Sequence, residues 1–153
     1  MSEERIYLVI MDETPESALA LRFAARRAVR TGGGVHILAL VPRQEFVVFG
    51  AIQATIEQEA RDRAEILATT AAGSLASESG LAPLISVRQG DGPQVVREYL
   101  KDHPEVSALV LGAAAESNPG PLTTHFATHA GALPCVLMIV PGGVSDEVID
   151  AVS

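Results

Sequence analysis

The sequence predicts a doubly wound α/β domain: five parallel strands with helices on both faces of the sheet. Three observations carry that expectation. Short apolar runs alternate with helical patterns from one end of the chain to the other. The first and fourth runs, IYLVIM and VSALVLG, are continuously apolar, as strands buried on both faces are. Each strand-like run is separated from the next by a helix-like segment, which requires crossover connections and therefore parallel, right-handed pairing.

Composition agrees with such a layered core. The chain has 153 residues, 48% of them hydrophobic and 20% charged, a globular mixture long enough to bury a real core. Aromatic residues are only 4% with no Trp, so Ala, Val, Leu and Ile must fill the interior, and base-stacking nucleic-acid surfaces are disfavoured. Net charge is −8. All 11 basic residues lie in 1–101 against 13 acids, and residues 102–153 hold 6 acids and no Lys or Arg. Such a surface repels nucleic acids and anionic membranes. The single Cys135 cannot form an intrachain disulfide and, in PCVLMIV, reads as a small buried hydrophobe. The N-terminal stretch places acids before a short apolar run, unlike a signal peptide, and the apolar stretches are too short for a bilayer. One domain over 1–153 is expected, with a core of about 5–141, an acidic tail at 142–153, and a cytoplasmic location.

The elements follow in order. IYLVIM (6–11) is strand one. Thr14 as N-cap and Pro15 at the first helical position start a helix to about Thr31, with Leu21, Ala24, Ala25 and Ala28 inward. Arg22, Arg26 and Arg30 recur every four residues and read as a solvated basic stripe. Gly32-Gly33-Gly34 ends the helix and releases strand two, 35–41. It runs from helix to strand, the reverse of a phosphate loop. PRQEFVVFG (42–50) is an irregular connection whose apolar tip, Phe46 to Phe49, reads as tucking under the long helix that follows, about 51–75. That helix sets Ile52, Ile56, Ala60, Ala64 and Leu67 on one side. PLISVRQ (83–89) alternates like strand three. A helix opening at Asp91-Gly92-Pro93 turns Val95, Val96, Tyr99 and Leu100 inward. Strand four is 106–112, a short helix runs from Pro121 to about Gly131, and PCVLMIV (134–140) is strand five.

Ligands of such sheets bind beyond the carboxyl ends of the strands, where strand order reverses. The loops after strands one and four matter most. Asp12 reads equally as an acceptor for a base or ribose and as a turn residue capping the first helix. After strand four, Gly112 leads through Ala113-Ala114-Ala115 to the turn Asn118-Pro119-Gly120 and a helix whose first turn holds Thr123 and Thr124. Those hydroxyls would bond a phosphate oxygen or only cap. Pro121 removes one N–H donor, Glu116 adds a negative charge, and the loop has no cation, so a triphosphate there would need backbone dipoles, a distant Arg43, or a metal. His125 and His129 lie one helical turn apart but lack a third ligand at diagnostic spacing, and His36 reads as structural. No G-x-S-x-G elbow is present, so hydrolysis has no visible nucleophile.

With strand–Asp12-Glu13-Thr14-Pro15-Glu16-Ser17–helix, and Arg88-Gln89-Gly90-Asp91 before the third helix, the chain resembles the universal stress proteins. Their first strand ends in a similar Asp-Gly-Ser before a Glu-Ser helix start. Their third strand ends in Arg-Glu-Gly-Asp-Pro, and their last resembles Pro134 to Val140. The resemblance spans about Ile6 to Pro141. It implies a sheet of order 3-2-1-4-5 and an adenine nucleotide alpha-hydrolase-like fold, and it implies a homodimer through the fifth strand. It also implies adenosine contacts from Asp12 and Val41. ATP-binding members carry G-x2-G-x9-G-[S/T] after strand four. Here Gly112 matches the first glycine, Ala115 replaces the second, and the usual Arg is missing, with Gly120 and Thr123 as a rearranged substitute. The expectation is a stress-response module acting through a protein partner, non-catalytic, with weak or absent ATP binding. The alternative is a nucleotide-binding regulator holding ATP or AMP, with Mg and slow hydrolysis.

Overall fold

A computed structural model describes residues 4–42 and 50–153. The expectations for Arg43 and for the tip at Phe46 to Phe49 lie outside the described residues. Strands β1 (Ile6–Met11), β2 (Gly34–Pro42), β3 (Leu84–Gly90), β4 (Val106–Ala113) and β5 (Val136–Pro141) form one sheet in the order β3-β2-β1-β4-β5. Every pairing is parallel. The helices between them are α1 (Pro15–Thr31), α2 (Gly50–Ser79), α3 (Gly92–Asp102) and α4 (Pro121–Thr128). A short turn of 3-10 helix, Ala130–Ala132, precedes β5, and a final helix, α5 (Asp146–Val152), follows it.

Strand alternation divides the core into two layers. Tyr7, Val9 and Met11 of β1 face the side covered by α1 and α2, where the alanines Ala20, Ala24, Ala60, Ala64 and Ala68 let the helices sit close. Ile6, Leu8 and Ile10 face the opposite layer, filled by Val96, Tyr99 and Leu100 of α3 and Phe126 of α4. The inner side of α1 is Ser17, Ala20, Ala24 and Ala28, so Leu21 and Ala25 pack at its margin rather than at its centre. On α2, Ala60 and Ala64 are buried as expected, whereas Ile52 is exposed. α2 runs one turn past Leu75, while α4 stops at Thr128 instead of near Gly131 because a 3-10 turn takes over.

Two expectations are corrected at the end of the chain. The segment read as an acidic tail contains a helix whose Ile149 joins the α1-side core. The arginine stripe of α1 is therefore only partly a solvated face: Arg30 is exposed, but Arg22 donates twice to the Asp150 carboxylate, at 2.8 Å each. The spacing of the stripe was legible, but its partner lies 128 residues away, beyond any local pattern.

Candidate functional site

Beyond the carboxyl ends of β1 and β4, adjacent in the sheet, a small cleft opens between the β1–α1 loop and the start of α4. Asp12, Gly112, Gly120 and Thr123 all line it, with Ile10 and Leu111 as its apolar floor.

The β1–α1 loop closes on itself. Asp12 Oδ1 accepts from the Thr14 N–H at 2.9 Å and from the Thr14 hydroxyl. Ser17 Oγ donates to the carbonyls of Asp12 and Thr14, each at 3.0 Å. Thr14 holds the N-cap position in an extended conformation, but its hydroxyl serves Asp12 instead of the helix. Asp12 therefore does the work of a turn residue with one oxygen, and its Oδ2 takes no hydrogen bond among the described residues. Ser17, buried in the first turn of α1, is a site residue the sequence reading passed over. Its signal was the Glu16-Ser17 pair itself.

The β4–α4 loop is tied down by packing. At Gly112 an added Cβ would stand 2.5 Å from the Glu16 carbonyl carbon and 2.9 Å from Glu16 Cβ, so α1 rests directly on this glycine. The glycine's bare face is thus filled by the protein's own backbone. Ala114 N–H donates to Pro119 O at 3.1 Å, closing the loop across its neck. Gly120 adopts φ +108°, a conformation that excludes other residues, and its N–H is taken by Asn118 Oδ1 at 3.1 Å. Thr123 is buried, and its hydroxyl donates to Gly112 O at 2.8 Å. The first helical bond of α4 is from Thr124 N–H to Gly120 O, and with Pro121 lacking a donor the N–H groups of Leu122 and Thr123 precede it without a helical acceptor.

Val41 is not part of this cleft. It is fully buried in the α1-side layer with Met11 and Ala39, whereas Ile10 and Leu111 of the cleft belong to the other layer. Only its backbone is in line with the sheet's carboxyl end.

Electrostatics oppose a phosphate. Among the described residues the cleft is lined by two acids, Asp12 and Glu16, and by no base. Arg63 of α2 pairs with Glu13 at 3.5 Å, and Arg97 donates to His125 Nε2 at 2.7 Å. Loss of solvent, then His129, then Arg97 hold His125 below the ordinary imidazole range. The His125 and His129 rings stack 4.5 Å apart, and among the described residues no three His, Cys, Asp or Glu side chains gather to hold a metal. The cleft measures about 100 Å³. Pockets for nucleotide-sized ligands are typically about 300–1,000 Å³.

Elsewhere, His36 is buried and its Nδ1 is hydrogen-bonded to the Tyr99 hydroxyl at 2.8 Å, the structural role expected of it. Cys135 is half-buried, and burial pushes its thiol up, away from the reactive thiolate. No helix among the described residues is long and apolar enough to cross a membrane.

The fold is similar to UspA from Lactobacillus plantarum, at TM-score 0.78 and 18% identity over 92% of this chain and 99% of that one. It is also similar to a universal stress protein family protein from Arabidopsis thaliana with AMP bound, at TM-score 0.62 and 16% identity over 94% of each chain. A third similar structure is the universal stress protein from Archaeoglobus fulgidus in complex with dAMP, at TM-score 0.57 and 17% identity over 92% and 98%. No curated protein matches the chain. The sequence model described as the universal stress protein family matches residues 5–141, so this chain belongs to the universal stress protein family.

Proposed function

We propose that the protein is a dimeric stress-response module that acts by protein contact, without catalysis, and binds ATP weakly or not at all. The cleft carries this reading. It is about 100 Å³, among the described residues it is lined by two acids and no cation, and its two buried hydroxyls are engaged within the protein, Thr123 by the Gly112 carbonyl and Ser17 by the carbonyls of Asp12 and Thr14. A triphosphate placed there would meet negative charge without compensation, which is costly. Low charge density on the fifth strand supports self-association. Among the described residues β5 pairs only with β4, and Val136 and Ile139 remain exposed, the kind of apolar edge that proteins cover. The acidic surface argues against nucleic acid, and the reading places the protein in the cytoplasm.

A second reading keeps a nucleotide: an adenine-nucleotide regulator taking AMP or adenosine, or ATP with Mg and slow hydrolysis. Asp12 Oδ2 and the N–H groups of Leu122 and Thr123 favour it, as do the AMP and dAMP held by similarly folded proteins. Calorimetry with ATP, AMP and adenosine, with and without magnesium, separates the two. The first reading expects ATP weaker than about 100 μM, or roughly −5.5 kcal/mol, with AMP losing less. Low-micromolar ATP binding would establish the second. Sedimentation tests the assembly: a dimer at micromolar concentration, dispersed by a charge at Val136 or Met138. A monomeric wild type rules the edge out.

A further inference from the structure

The family match ends at residue 141, and α5 lies beyond it. α5 is held by a cluster of ion pairs and hydrogen bonds and by one buried side chain, Ile149. The Asp150 carboxylate receives Arg22 Nε and Nη2, and Arg26 Nε stands 3.3 Å from the same group without hydrogen-bond alignment. Asp146 is 3.8 Å from Arg22, and Arg30 donates to the carbonyls of Ser153 and Asp150 at 2.8 and 3.2 Å. The matching apolar contribution is Ile149, while Val148 and Val152 stay exposed. A seven-residue helix has no stability of its own and forms only where it docks. The chain is still anchored at Gly142, whose N–H donates to Ala113 O, and reaches the seat of α5 through the short Gly143-Val144 connection.

α5 also leaves the arginine face partly unused. Beside the stripe, a cleft of about 300 Å³ runs between α1 and the end of α2, lined by Arg22, Arg26, Arg30, Val29 and Leu75, with Glu78 and Ser79 at its far wall. The Arg26 Nε is buried and without a hydrogen-bond partner. A helix longer than α5, with acids at the Asp146 and Asp150 positions and an apolar residue at Ile149, would occupy both the seat and the cleft. Glu78 would oppose a further acid on that side.

We propose that the Arg22/Arg26/Arg30 face of α1 is a docking surface for an acidic amphipathic helix of a partner protein, and that α5 is its resident, displaceable occupant. This deepens the reading of the molecule as a contact module and rests on it, but it is independent of the nucleotide and of the β5 edge. Charge complementarity supplies the recognition, and competition with α5 sets the threshold a partner must exceed.

The test uses the full chain and a synthetic peptide of residues 143–153, with a scrambled peptide of the same composition as control. In Asp150→Lys the resident helix loses its central carboxylate while α1 is unchanged. The peptide should bind that variant at least about ten-fold more tightly than wild type, corresponding to α5 docked at least about nine-tenths of the time, and the scramble should bind neither. Equal affinity for the two proteins, no binding to the variant, or equal binding of the scramble overturns the proposal. Should Asp150→Lys fail to fold, amide exchange in the wild type decides. Amides of α5 that exchange ahead of the sheet, and faster as salt rises from about 0.05 to 0.5 M, support it. Amides of α5 as protected as those of β1 at both salts overturn it, leaving the calorimetric and sedimentation tests of the contact module untouched.

Discussion

The two loops that meet beyond the sheet are closed by opposite means. The β1–α1 loop is short and uses contacts between near neighbours: Asp12 with Thr14, and Ser17 with the carbonyls of both. The β4–α4 loop is longer and relies on distant partners: α1 lying on Gly112, Gly142 N–H donating to Ala113 O at 2.6 Å, and Thr123 reaching back to Gly112. The first arrangement leaves a carboxylate oxygen without a protein partner. The second leaves neither the hydroxyl nor the glycine face free. A nucleotide needs a ribose side and a phosphate side; in the cleft, among the described residues, Asp12 Oδ2 on the first side has no protein partner, whereas the Thr123 hydroxyl on the second is taken by Gly112.

That contrast is open to direct attack, beginning with its strongest element. Gly112→Ala should destabilise the protein by about 3 kcal/mol in denaturant unfolding, because the new methyl meets the backbone of Glu16 rather than a mobile side chain. A loss under about 1 kcal/mol would mean that α1 moves aside easily and the cleft widens on demand.

Thr123→Val should cost about 2 kcal/mol, by leaving the Gly112 carbonyl without its donor, and Thr123→Ser should recover most of it. If Thr123→Val instead spares stability and abolishes AMP or ATP binding, the hydroxyl belongs to a phosphate and the second loop has been misread. Asp12→Ala should cost less, about 0.5–1 kcal/mol, since the turn hydrogen bonds it loses are exposed. Asp12→Asn keeps the turn hydrogen bonds, so a selective drop in adenosine affinity in Asp12→Asn would assign the free oxygen to a ligand.

The smallest effect expected is a pH slope away from both loops. Burial lowers His36 below its ordinary value, and its neighbour His103 adds to this, while Glu105 and Glu4 act in the opposite direction. Since the unfolded chain binds this proton more readily, stability should fall as pH drops from about 6.5 toward the lower folded value, and level off below it. Denaturation midpoints at several pH values should show that slope in wild type and a flatter one in His36→Gln. An unchanged slope would assign it to other groups.

The order of strands and helices, and the place where the cleft forms, were written in the sequence. Apolar runs of period two and of helical period, Thr14-Pro15 and Asp91-Gly92-Pro93 at helix starts, and Gly32 after α1 are signals between neighbours in the chain, and local geometry obeys them. Asp12 and Gly112 could be put together because parallel crossovers fix which strand ends face the same way. What Thr123 bonds, which face Val41 turns to, and what covers the arginines of α1 were decided only in three dimensions. Thr123 could equally have capped its helix or held an anion, and its spacing is the same in each case. An arginine stripe looks alike whether it meets water or a carboxylate 128 residues away, because the pairing depends on where α5 comes to rest and not on any pattern within α1.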